Sequence, residues 1–189
     1  MRGFTLVEIL VVVAVSAIVL GSFISYNSAS RAQIALSVEQ AKIAQLILRA
    51  KSLAISSYSS NPSGRCGYGF SVDYGVNYAG RSYSLNRYDV SDNTVCDAIY
   101  TGQSGYDFNN LILVQLEKYS LDSNLKFQAS GESDELEDVI FIAPEPKTFL
   151  KLEGDNSFIK GTAKIYLETK AAPLRGATVS VNSVGQVGF

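Results

Sequence analysis

Histidine and tryptophan are absent from this chain of 189 residues, and cysteine occurs only twice. Without histidine the commonest general base and the commonest metal ligand are missing. Ser-His and Cys-His nucleophile pairs are excluded with it. Two cysteines fall short of the four ligands of a structural zinc site. Gly67-Tyr68-Gly69 lacks the third glycine of a dinucleotide fingerprint and leads into a strand pattern, not a helix. No enzyme is expected, and no metal or cofactor. Strong charge is missing too: the formal net charge is -2 and the pI about 5.2. No global basic field therefore recruits nucleic acid or anionic lipid. Arg65, Arg81 and Arg87 are dispersed among acids, and Val184 to Phe189 carry no base, so nucleic acid is not an expected partner.

Hydrophobic residues make up 47% of the chain, and the first 24 positions, MRGFTLVEILVVVAVSAIVLGSFI, hold a disproportionate share. From Phe4 to Ile24 the run is long enough, at about 1.5 Å per residue, to cross a bilayer core about 30 Å thick. A secretory signal peptide would have Arg2 as its charge and Ser28-Ala29-Ser30 as a passable cleavage site. Its apolar stretch would be shorter, however, and Glu8 would not sit inside it. A plain membrane anchor leaves Glu8 equally unexplained, because an acid within a membrane costs about 2–4 kcal/mol and calls for a partner.

The order Gly3-Phe4-Thr5-Leu6-Val7-Glu8 after a basic residue resembles the cleavage signal of type IV pilins and type II secretion pseudopilins. The resemblance implies that a prepilin peptidase cuts between Gly3 and Phe4 on the cytoplasmic side. The same enzyme would methylate the new amine of Phe4, and the apolar helix would be retained. The three-residue leader is short for the family but keeps its positive charge. A carboxylate among apolar helices is tolerable when it meets an opposite charge. The Phe4 amine of an adjacent subunit would be such a charge, so Glu8 is expected to act as a register device between subunits. Other pilin subunits, the peptidase, an inner-membrane assembly platform and, before assembly, lipid are the implied partners. The implied location is a single pass through the inner (cytoplasmic) membrane with the C-terminal part outside the cytoplasm. A periplasmic or cell-surface filament would follow.

Helical patterning continues past the apolar run. Leu36, Ile43, Ile47, Ala50 and Ala54 recur at i, i+3/i+4 spacing. Arg31, Gln33, Glu39, Gln40, Lys42, Gln45, Arg49 and Lys51 occupy much of the rest, and no proline precedes Pro62. One helix about 80 Å long is expected from Phe4 to about Ser57, closed by the Asn61-Pro-Ser-Gly64 turn. Beyond Tyr68 short alternating runs predict strands at Gly69–Tyr74, Arg81–Leu85, Val139–Ala143, Thr148–Glu153, Ala163–Thr169, Ala177–Val181 and Gln186–Phe189. Asn182 to Gly185 reads as a hairpin turn. Asn110–Tyr119 suits helix or strand, with helix preferred. The expected class is α+β and pilin-like, a long N-terminal helix on an antiparallel sheet domain. Its divisions are a leader 1–3, a transmembrane and filament-core helix 4–24, an amphipathic continuation 25–57 and a β-rich domain 58–189.

Gly67–Val72 with Tyr83–Leu85, and the closing Ala177–Val187, look like the first strand pair and last hairpin of H-type minor pseudopilins and FimT-like minor pilins. That similarity implies a minor filament component; the alternative is a tip-located binding subunit for adhesion, DNA uptake or contact with a secreted substrate. Cys66 and Cys96 depart from the major-pilin habit of a disulfide near the C-terminus. Outside the cytosol a disulfide between them is the natural state, stabilising by about 3.5 kcal/mol through loop closure. The acidic stretch Glu132–Asp138 matches no EF-hand and is expected to be a solvated loop. Nine of the eleven tyrosines lie between Tyr58 and Tyr119; strand packing is the favoured reason, and ligand contact the other.

Overall fold

A computed structural model describes residues 5–57, 64–75, 80–103, 106–128, 134–143, 145–170 and 174–189, without the side chains of 23–29. Helix α1, Leu6–Ser57, runs without a break for 52 residues. No proline interrupts its hydrogen-bond ladder, and good helix formers such as Ala, Leu, Glu, Gln, Lys and Arg fill much of its second half. After it come β1 (Arg65–Asp73), β2 (Ser82–Asp89), α2 (Asn93–Thr101) and a 3₁₀ turn (Phe108–Asn110). Then follow β3 (Ile112–Ser120), β4 (Leu125–Phe127), β5 (Leu136–Ile142), β6 (Lys147–Leu152), β7 (Thr162–Thr169), β8 (Gly176–Asn182) and β9 (Val187–Gly188).

Two antiparallel sheets result, one in the order β3-β2-β1-β5-β6 and one in the order β4-β7-β8-β9. The second half of α1 packs on both. Leu36, Ile43, Ile47, Ala50 and Ala54 are buried, as their spacing predicted, against Phe70, Leu85, Phe141, Leu167 and Val181 from the strands. Burial of apolar surface on this scale is the main force holding helix to sheets. The far face of the larger sheet carries a second cluster, in which Ile99 of α2 and Phe108 cover Cys66, Tyr88, Ile140 and Ile142. β5 is thus covered on both sides, and Val139–Ile142 reads as a continuous apolar run without alternation.

Polar clamps fix the seating of α1. Arg49 makes a two-pronged bond to Glu117 of β3, at 2.9 and 2.6 Å. Gln40 donates to the Thr178 carbonyl of β8 at 3.0 Å. Lys51 reaches the Val184 and Gly185 carbonyls of the closing hairpin, each at 3.3 Å. Gly185 has φ +73°, and a Cβ there would stand 2.6 Å from Thr148 Oγ1. Glycine is therefore dictated both by the turn and by the close approach of the hairpin to β6.

Several expectations are corrected. Asn110–Tyr119 is mostly strand, because the free edge of β2 needs hydrogen-bond partners and β-branched Ile112 and Val114 suit a pleated edge. β2 runs on to Asp89, beyond the expected end at Leu85. The described part of the acidic stretch is no solvated loop. Glu137 and Asp138 lie in β5 and Glu135 and Asp138 are buried, with Ser71 and Tyr88 donating to Asp138. Glu39, placed with the polar face of α1, is 2% exposed. The turn expected at Asn61–Gly64 falls, apart from Gly64, outside the described residues.

Candidate functional site

Gly3 and Phe4, the expected cleavage and methylation positions, lie outside the described residues; the site is described from Thr5 onward. Thr5 stands just ahead of the first helical residue, and Glu8 three residues later in the first turn. Glu8 Oε2 accepts from the Thr5 main-chain N–H and from its hydroxyl, each at 2.9 Å. The Thr5 hydroxyl oxygen in turn accepts from the Glu8 N–H at 3.3 Å. This is a capping box, in which two otherwise orphaned donors at the helix start are satisfied reciprocally. The carboxylate also faces the positive end of the helix dipole. Glu8 Oε1 takes no bond among the described residues. Among the described residues one carboxylate oxygen is engaged and the other is not.

The surface beyond Glu8 is apolar and bare. Every residue from Thr5 to Ser22 is exposed, including Leu6, Ile9, Leu10, Val12, Ile18 and Leu20. The hydroxyls within it turn back on the helix: Ser16 donates to the Val12 carbonyl and Ser22 to the Ile18 carbonyl, both at 2.7 Å. Neither then presents an unsatisfied donor to an apolar surrounding. Among the described residues no helix is long and apolar enough to cross a membrane. The expected span Phe4–Ile24 draws on Phe4, Phe23 and Ile24, whose side chains are outside the description. The apolar surface continues on the outer side of α1 through Ile34, Val38, Leu48 and Ile55, all exposed.

Cys66 and Cys96 are bonded to each other, with Cα atoms 5.3 Å apart across a sequence separation of 30 residues. The bond ties α2 to β1. α2 was not foreseen from the sequence, although its ends are marked. The Asp92 carboxylate accepts from the Thr94 N–H at 3.0 Å, and Gly102 closes the helix with φ +78°. Of the dispersed arginines, Arg87 is paired with Asp89 at 2.7 Å, and Arg81 donates to the carbonyls of Leu121 and Asp122. Tyr68, Tyr83 and Tyr88 are buried strand residues and Tyr74 is buried just past the end of β1, whereas Tyr100, Tyr106 and Tyr119 are half-buried. Among the described residues no group of three or more acids and cysteines is placed to hold a metal ion.

The Thr5 and Glu8 pair lies within a stretch that matches a family model. Residues 1–24 match the model of the prokaryotic N-terminal methylation motif. No curated protein and no solved structure matches the chain. The match ends at residue 24, ahead of Leu36, the first described residue of α1 that is buried against the sheets. The N-terminal segment thus carries the methylation signature of type IV pilins and pseudopilins, joined through one helix to an α+β domain of the pilin-like arrangement.

Proposed function

We propose that the chain is a structural subunit, cleaved between Gly3 and Phe4 and methylated on Phe4. It then assembles through α1 into a type IV pilus or type II secretion pseudopilus, as a minor component of the H-type or FimT-like kind. The observation that carries this reading is the bare helix of Leu6–Ser22, apolar apart from a capped Glu8 and two serines turned back on the helix, inside the matched residues 1–24. Apolar area of this extent is stable only in lipid or against other apolar helices. In this reading residues 1–3 are the leader, 4–24 the membrane and filament-core helix, 25–57 its amphipathic continuation and 58–189 the displayed domain. The prepilin peptidase, an inner-membrane platform, lipid and neighbouring subunits act on it in turn. Glu8 Oε1, which takes no bond among the described residues, meets the Phe4 amine of an adjacent subunit and sets the axial register.

The mass of the mature chain tests the processing step. Loss of Met1 to Gly3 with one added methyl group, about 14 Da, is the expected result. An intact Met1 in the assembled or membrane fraction overturns it. Subunit abundance in isolated filaments tests the minor role, since a dominant band of this chain contradicts it.

A further inference from the structure

The end of α2, the free edge of β6 and the turn at 153–160 enclose a cleft of about 680 Å³. We infer that this cleft binds an acidic saccharide. Its floor is aromatic: Phe158 packs on Phe108 and Phe149 with ring centroids 4.5 and 4.9 Å away. Tyr100 and Tyr106 stand half-buried in its walls, and neither phenol hydroxyl has a hydrogen-bond partner among the described residues. The Lys147 ammonium lies 4.1 Å from the Tyr100 ring centroid and donates to the Tyr100 carbonyl at 2.9 Å, which leaves it further donors. Lys160 has no ion pair among the described residues.

The acid in the lining is already engaged. Asp107 caps the 3₁₀ turn, accepting from the Asn109 N–H at 2.9 Å and from its side-chain amide at 3.3 Å. The uncommitted charge is therefore positive, and a ligand must bring negative charge to meet it. The ligand must also bring an apolar face for the rings and hydroxyls for the phenols. A sugar ring supplies both, and a uronic carboxylate supplies the charge.

An extended peptide fits less well. The Leu150 carbonyl accepts from the Ile159 N–H at 2.9 Å, so the main chain of Leu150 faces the free edge of β6. By the period of two, Thr148 and Pro146 face it as well. Proline has no N–H to give, so a guest strand finds a full pair of main-chain groups only at Thr148. Recognition then falls to rings, hydroxyls and ammonium groups. The wall that carries Tyr100 is held in place by the Cys66–Cys96 bond. The inference does not depend on assembly through α1.

The test is calorimetric titration of the full chain in detergent with tetragalacturonate, a heparin tetrasaccharide, maltotetraose and tetraglutamate. Saturable binding of an acidic sugar is expected, weakening as salt is added. Maltotetraose should bind about tenfold more weakly or not at all, and the exposed pair Lys147→Gln and Lys160→Gln should weaken the acidic sugar by at least about tenfold. Tyr106→Ala should lower affinity for the same sugar while thermal melting confirms a folded protein. No saturable binding of either acidic sugar overturns the proposal. So does affinity unchanged in the lysine pair, or tetraglutamate binding as tightly as the sugars.

Discussion

Tyr83 of β2 donates its hydroxyl to the Glu39 carboxylate of α1 across 2.8 Å, at a point where both residues are buried. The other Glu39 oxygen receives the Lys42 ammonium at 2.6 Å, one turn along the helix and half in solvent. A charge is thereby held inside the helix-to-sheet interface with a donor from each side. Removing the hydroxyl leaves the carboxylate short of a partner in a dry place. Tyr83→Phe is expected to lower stability by about 1–3 kcal/mol, and Glu39→Gln by less, since an amide can still accept. Denaturant unfolding of the two variants checks the order, and a larger loss for Glu39→Gln would refute it.

Burial and the neighbouring Glu39 carboxylate push the Tyr83 phenol well above its ordinary range. Burial and Asp138 do the same to Tyr88. The unfolded chain releases these protons near pH 10, while the folded protein keeps them. Their contribution is therefore complete below about pH 10 and is lost as pH rises above it. Melting temperature followed from pH 8 to 11 should fall steeply past 10. Tyrosine absorbance titration of the folded protein should show these two phenols ionising only with unfolding; ionisation of all tyrosines near pH 10 without loss of structure contradicts this.

The bond between Cys66 and Cys96 closes a loop containing part of β1, all of β2 and the start of α2. A thiol count on the folded, unreduced protein should give zero; two free thiols would remove the bond. Cys66→Ser with Cys96→Ser is expected to lose about 3.5 kcal/mol. The loss should concentrate in α2, where amide exchange should accelerate, while the core around Ile43, Ile47 and Phe141 stays protected.

Glu8→Ala removes both the cap at the helix start and the proposed partner of the Phe4 amine. Cleavage can proceed, but filament incorporation should fall or the terminal methyl group be lost. Thr5→Val separates the two roles, since it removes the hydroxyl of the cap and keeps the carboxylate. Normal incorporation of a methylated Glu8→Ala chain would refute the register role. Equal defects in both variants would assign the effect to the cap.

The long helix and its buried face were legible because a 3.6-residue period survives over many turns, from Leu36 to Ala54. Glu39 lies on that same face, yet its polarity suggests solvent; only the position of Tyr83, distant in sequence, accounts for its burial. β3 was misjudged because Leu111 to Leu116 fits both periods, and the deciding factor was the unpaired edge of β2. α2 is short, and its cap signals at Asp92 and Gly102 are common loop residues as well. At the site, the motif pointed to Glu8 directly. The Thr5-to-Glu8 spacing of a capping box is equally present in the sequence, but inside an apolar run the spacing alone does not separate a cap from a membrane acid. The cleft beside β6 draws on α2, β6 and the turn after it, three segments that no local pattern joins.

The continuity of α1 has a rotational consequence. With no break from Leu6 to Ser57, each residue between the bare segment and Leu36 contributes about 100° of turn. The compass bearing of the sheets relative to Glu8 is thus written into the residue count. One inserted alanine would swing the sheets by about 100° and lift them by about 1.5 Å, whereas seven would return them nearly to their original bearing. The helix is in this sense a dial as well as a stalk.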